Sequence, residues 1–357
     1  MAPTAVHTHP AELDGVAGEW RELARRLGGL SYFATPDWVL GWWETIGEGV
    51  AGEVATWRGE GGRLEAVVGL ARTRQLLHPR LPVGVPVWTN LGSGAGGADH
   101  CGWPVAPDRV GEVRSWVAER TSDAAVMLSN LDPDSGRPFA PQGAKPVAAS
   151  RCPRLAVPDE EQAIGSSRNL RKQLRAYTRK ALDQGVTFRW VAPEQMTDAL
   201  LEMVFRLHER RWSIADGASS FDRTRAALHR RLIARAGAGH GPAMMLAEHD
   251  GQAIGVNYGF LWAEEFAAFQ SGWHPDWAAA HLGTVLDGET IRAVRAAGVR
   301  TYDFLRGAEA YKYRFGAVDR VDETWLLARG GSGRLLDLRY RLKARLEPER
   351  AAGKELA

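Results

Sequence analysis

Two cysteines in 357 residues are too few for a disulfide framework. Cys101 and Cys152 lie far apart and fit no metal-ligand spacing, so the expectation is two inert thiols in a reducing compartment and no bound metal. No apolar run approaches the roughly 18–20 residues needed to cross a bilayer. The opening stretch, MAPTAVHTHPAELDG, has neither a charged leader nor an apolar core. No signal peptide is therefore expected, and a cytoplasmic location is. Neither sign of charge dominates: 45 Lys and Arg stand against 43 Asp and Glu, so no global field selects a partner. Ser-His-Asp elbows and Walker loops are missing. The glycines of GSGAGG (92–97) follow a short strand but open no helix, which excludes a dinucleotide-binding reading.

What is present is an ordinary globular balance, 45% hydrophobic and 25% charged, in a chain long enough for two domains. Fourteen tryptophans are many. Trp38, Trp42 and Trp43 fall in a helix predicted to begin after Thr35-Pro36, where Thr35 caps and Pro36 suits the first turn.

The first half reads as a helix over 11–28, the tryptophan helix, strands at 53–58 and 63–77, a helix over 109–120 and a strand at 124–131. The Gly- and Pro-rich stretch from Pro79 to Pro107 reads as largely loop, and 132–160 carries little periodicity, which places a boundary near 155. In the second half the pattern is a helix over 166–185, a strand at 186–193, helices over 197–215 and 221–235, and strands at 243–250 and 253–262. Asp250-Gly251 signals a hairpin between those two strands. A strand at 266–275, a helix over 281–297, strands at 299–307 and 324–328 and a basic helix over 333–346 complete it. The expected organisation is 1–155, 156–330 and a basic C-terminal helix, 331–357.

Four strings carry chemistry. The stretch DFLRGAEAYKYRFGA (303–317) leaves a strand and gathers Asp303, Arg306, Glu309, Tyr311 and Lys312. Helix 166–185 carries Arg168, Arg171, Lys172, Arg175 and Arg179 on one stripe with no interleaved acid, which suits a polyanion. A second basic patch lies on the last helix, at Arg334, Arg339, Arg341, Lys343 and Arg345. His208, Arg211 and Trp212 share the helix over 197–215; an arginine there suits a carboxylate, and His208 suits a general base. Asp99-His100, in the glycine-rich loop, is a further candidate for lining a cleft.

LHERRW (207–212), GQAIGVNYGFLW (251–262), GWHPDWAAAHLGTVLDGETIRAVRAAG (272–298) and YDFLRGAEAYKYRFG (302–316), in that order of elements, resemble the GNAT acyltransferases of the CelD type. Those are similar in turn to the Fem aminoacyl-tRNA-dependent transferases. The resemblance implies an α/β fold of tandem GNAT-like domains, each a mixed, mostly antiparallel sheet flanked by helices, the first domain degenerate. It implies an N-acyltransferase that moves an acyl group from acyl-CoA or aminoacyl-tRNA, as co-substrate rather than tightly bound cofactor, to an amine of a small molecule or precursor. It places donor binding at Gln270, Ser271, His281, Gly283 and Thr284, acceptor binding at His208, Arg211, Trp212 and Arg306, and catalysis among Asp303, Glu309, Tyr311 and Lys312. Two departures stand out. The phosphate loop keeps one glycine and no arginine. The family's tyrosine stands four residues before a glycine, and four before Gly316 is Lys312, next to Tyr311. The alternative is a non-catalytic GNAT-like binding or assembly protein in polysaccharide or cell-wall synthesis.

Overall fold

The computed structural model describes residues 2–78, 81–213 and 222–346. Its residues group into two compact units, 2–151 with 321–346, and 152–320.

In the first unit come β1 (Ala5–His7), α1 (Ala17–Leu27), α2 (Pro36–Trp43), β2 (Ala51–Arg58), β3 (Leu64–His78), β4 (Leu81–Asn90), α3 (Val110–Glu119) and β5 (Ala125–Leu131). Strands β1 to β4 pair antiparallel in sequence order, and β5 lies parallel to β4 after the helix α3. The Thr35 hydroxyl accepts from the Trp38 N–H at 3.4 Å, the predicted cap of α2. Every residue of α2 is buried. The glycine-rich loop is moulded on it: the Trp38 indole donates to the Gly92 carbonyl at 2.9 Å and the Trp42 indole to Ala95 at 2.5 Å. A Cβ on Gly92 would lie 3.2 Å from the Trp38 ring, so this glycine serves packing.

Residues 81–90 form a strand rather than the expected loop. Pro82 and Pro86 are tolerated because β5 reaches β4 only at Val87 and Trp88, leaving 81–86 without a neighbouring strand on that side among the described residues. A second strand inside a stretch without periodicity is β6 (Lys145–Ala156).

The second unit continues with α4 (Arg168–Asp183), β7 (Thr187–Val191), α5 (Asp198–Ser213), α6 (Arg223–Ala234), β8 (His240–His249), β9 (Gln252–Trp262), β10 (Glu265–Trp273), α7 (Leu282–Ala296), β11 (Thr301–Asp303) and α8 (Ala310–Arg314). The chain closes with β12 (Val318–Leu327) and α9 (Gly330–Leu346). Strands β7 to β10 pair antiparallel, β11 lies parallel to β10, and β6 pairs antiparallel with β11. In the first unit β12 plays the corresponding part, antiparallel to β5. Both units thus show the same succession: an antiparallel meander, a helix, then a strand parallel to the meander's last. This is the α/β, mostly antiparallel and tandem architecture expected. Asp250 and Gly251 both take positive φ, 50° and 71°, in the β8–β9 hairpin, as the two-residue turn requires.

The second unit's core joins Leu170 and Leu174 of α4 to Phe266, Ile291, Val294, Tyr302, Phe304 and Phe315. Gly272 lets α5 approach β10: a Cβ there would lie 2.6 Å from the His208 backbone nitrogen.

Candidate functional site

The site begins where two strands part. β11 pairs with β10 only at Thr301, Tyr302 and Asp303, opposite Glu265, Phe266 and Ala267. Beyond Ala267, β10 continues along β9 to Trp273, past an irregularity between Ala268 and Gln270. The backbone of 268–273 therefore has no partner in β11 among the described residues.

A cavity of about 280 Å³ lies there. Ser271 and Trp273 line it from β10, His281, Gly283, Thr284 and Asp287 from the start of α7, and Tyr311 from α8. Side chains alternate along a strand. Ser271 and Trp273 share the cavity face, whereas Gln270 shares the opposite face with Gly272, toward α5. Of the five expected donor-binding residues, Ser271, His281, Gly283 and Thr284 come together and Gln270 does not.

The first turn of α7 offers unpaired N–H groups and the positive end of the helix dipole to this cavity. Its entry is shaped by aromatics. His281 is held at φ 56° as the N-cap and stacks on Tyr177 of α4, rings 4.2 Å apart. Trp273 covers Gly283 so closely that a Cβ would lie 2.9 Å from the indole.

Asp287 stands one turn beyond Gly283. Its Oδ1 accepts from the Asn257 side chain at 3.1 Å and from the Tyr302 hydroxyl at 3.4 Å. Asn257 also donates to the Tyr302 oxygen at 2.8 Å and to Thr290 at 3.2 Å. Burial, reinforced by the Asp287 carboxylate, pushes the Tyr302 phenol well above its ordinary value, so it stays a donor. The result is a carboxylate at the cavity wall, oriented from behind by a buried polar network. Neither Asp287 nor Asn257 was among the candidates from sequence. The signals were there: an acid four residues after Gly283 on the same helix face, and an amide inside the apolar run AIGVNYGF.

The four catalytic candidates separate. Tyr311 is 42% exposed at the cavity edge, its ring set edge-on to Phe304 at 6.1 Å. Lys312 is 3% exposed. Its ammonium donates to the carbonyls of Leu305, Arg306 and Gly307 at 3.2, 3.1 and 2.9 Å and pairs with Glu309 at 2.8 Å. Lys312 therefore ties down the loop leaving β11, and Glu309 belongs to that knot; neither lines the cavity. Asp303 is fully buried and accepts from the Leu305 N–H at 2.6 Å, fixing the same loop. That loop passes through positive φ at Leu305 (55°) and Gly307 (116°), a conformation the lysine knot holds in place.

Among the acceptor candidates, His208 of α5 is fully buried where that helix meets Gly272 of β10. Arg306 supplies a carbonyl to Lys312 and does not line the cavity. Arg211 and Trp212 lie on α5, and their side chains fall outside the described residues. In the first unit, His100 is 2% exposed and its ring meets Asp322 at 2.8 Å, while burial raises the Asp322 carboxyl. That pair, with Asp99 3% exposed, is sealed in protein rather than open to a ligand.

On α4, Arg168, Lys172, Arg175 and Arg179 are exposed, and Arg171 turns back to donate to the Gly165 carbonyl at 2.8 Å. Four of the five cations thus form an outward stripe on the helix that packs beside α7.

Residues 168–313 match the family model described as an acetyltransferase (GNAT) domain. No curated protein matches the chain by sequence. Among solved structures it is similar to FemX, with a TM-score of 0.62 at 10% identity, over 94% of this chain and 100% of that one. It is also similar to the C-terminal domain of a putative lysylphosphatidylglycerol synthetase from Agrobacterium fabrum: TM-score 0.59, 12% identity, 94% of this chain and 97% of the other. L-PGS from Bacillus licheniformis gives 0.54 at 10% identity, over 84% and 90%. At these identities the likeness is one of fold.

Proposed function

We propose that the second unit catalyses transfer of an acyl or aminoacyl group to an amine, with the reaction centre at the parting of β10 and β11. The observation that carries this reading is the cavity at that parting, which brings a strand edge without a β11 partner, a helix start and Tyr311 together. The backbone of 268–273 would hold the donor's amide groups, and the first turn of α7 its phosphates. The amine nitrogen attacks the acyl carbonyl carbon. The intermediate collapses with loss of the CoA thiolate or the tRNA ribose oxygen, which takes a proton from Tyr311. The proton released by the amine goes to solvent or to Asp287.

The donor is an acyl-CoA or an aminoacyl-tRNA, and the reaction is assigned to the cytoplasm, where both are made. The outward stripe of Arg168, Lys172, Arg175 and Arg179 supports the polyanionic donor. The acceptor is an amine of a small molecule or of a cell-envelope or secondary-metabolite precursor. A second reading, a non-catalytic GNAT-like binding or assembly protein in polysaccharide or cell-wall synthesis, is favoured by the indole of Trp273 over Gly283, which crowds the place a pyrophosphate would take.

The test is a transfer assay with acyl-CoAs and aminoacyl-tRNAs against a panel of amines. Transfer that falls ~10²-fold or more in Tyr311→Phe, as loss of a general acid predicts, supports the enzyme. Absence of turnover with every donor supports the binding protein.

A further inference from the structure

The last helix has an outer face that the acyl-transfer reading does not use. Its inner side packs on the first unit: Leu336 is fully buried, and the Tyr340 hydroxyl meets the Met127 sulfur at 3.3 Å. On the outer side Leu335, Leu338 and Leu342 are 51%, 53% and 46% exposed, at i, i+3 and i+7, one continuous stripe. Val83 of β4, on the sheet face that α9 covers, is 54% exposed, and Arg339 of α9 donates to the Leu76 carbonyl of β3. Four of the ten large hydrophobic side chains exposed among the described residues therefore gather here. Exposed apolar patches of this kind mark docking surfaces.

The charges around the stripe say what docks. Arg334 and Arg341 are exposed on one border of the leucines and Arg339 lies on the other. Asp337 is the one acid between residues 330 and 346, and it is already engaged by Arg341 at 2.7 Å and by Lys145 at 3.6 Å. A second copy of this chain laid twofold on the same face would set arginines against arginines. An anionic lipid surface instead accepts the leucines among its acyl chains and the guanidiniums among its phosphates. No helix among the described residues is long and apolar enough to cross a membrane, so the contact is interfacial.

We propose that the outer face of α9, extended by Val83, docks the protein on an anionic membrane surface. The inference is independent of the acyl-transfer reading.

Sedimentation with vesicles tests it. The full chain is expected to pellet with phosphatidylcholine vesicles containing phosphatidylglycerol, not with phosphatidylcholine alone, and less as salt is raised. Arg334→Ala is expected to weaken binding ~5-fold, one basic residue's share. Leu338→Ser with Leu342→Ser is expected to weaken it ~10-fold or more, with unchanged thermal melting because both side chains are exposed. Three results overturn the proposal. One is no binding to the anionic vesicles. Another is serine-variant binding equal to the native chain's. The third is a native dimer that the serine variant converts to monomer in analytical ultracentrifugation, which would assign the face to a second copy.

Discussion

Replacing Lys312 with methionine separates a structural lysine from a chemical one. Methionine keeps most of the side-chain volume and removes the ammonium. Three carbonyls at 2.9–3.2 Å then lose a charged donor in a site where Lys312 itself is 3% exposed. Hydrogen bonds to charged groups contribute about 1.5–3 kcal/mol each, though not additively. The pair with Glu309 adds little, because that carboxylate is 56% exposed. Relief of the ammonium's desolvation and the burial of a thioether offset part of the loss. The net is a destabilisation of about 3 kcal/mol, a factor of ~10² in the unfolding equilibrium. Part of it arises because Leu305, a non-glycine residue at positive φ, is held there by the tied loop. The assay is urea unfolding followed by tryptophan fluorescence, comparing midpoints at equal slope. A variant within 0.5 kcal/mol of the native chain and without transfer activity would refute the reasoning and return Lys312 to the chemistry.

Two further predictions come from the same unit. Burial lowers the His229 pKa to about 3, so the folded state keeps this imidazole neutral while the unfolded chain binds a proton below about 6.5. Its contribution to stability is therefore full above that value and falls as pH drops. The loss between pH 7 and pH 5 is about 2 kcal/mol, and His229→Gln should flatten that part of a stability–pH curve. Asp287→Asn keeps an oxygen to accept from Asn257 and Tyr302 and removes the charge. Thermal melting should shift little, while kcat/KM falls ~10-fold or more; equal activity would show that the charge plays no part in the transfer.

The second unit was the more legible in sequence. Asp250-Gly251 between two apolar runs fixes a hairpin by its turn chemistry alone, and Thr35 before Pro36 fixes a helix start in the first unit. The strand β4 was not legible. Pro82 and Pro86 argue for a loop unless it is known that the neighbouring strand stops short of them, and that is a long-range fact. β6 was hidden for the same reason: KPVAASRCPRLA has no alternation of its own, and its last residues, 154–156, are held as strand by pairing with β11. Around the cavity, the start of α7 and Tyr311 were legible because a strand, a helix start and a short helix leave local marks. The place of Lys312 was not legible because its partners are its own chain's carbonyls five to seven residues earlier. They reach it only once the loop turns back at Leu305. The place of Asp287 at the cavity wall was not legible because it depends on Asn257 and Tyr302, remote in sequence.

The central claim is that the donor lies along the edge of β10 beyond its parting from β11. Amide hydrogen exchange measured with and without the donor that supports transfer tests it most directly. Slowed exchange across 268–273 and the first turn of α7, with the β2–β4 amides unchanged, is the predicted result. Turnover with that donor while 268–273 exchanges at its free rate would contradict the account.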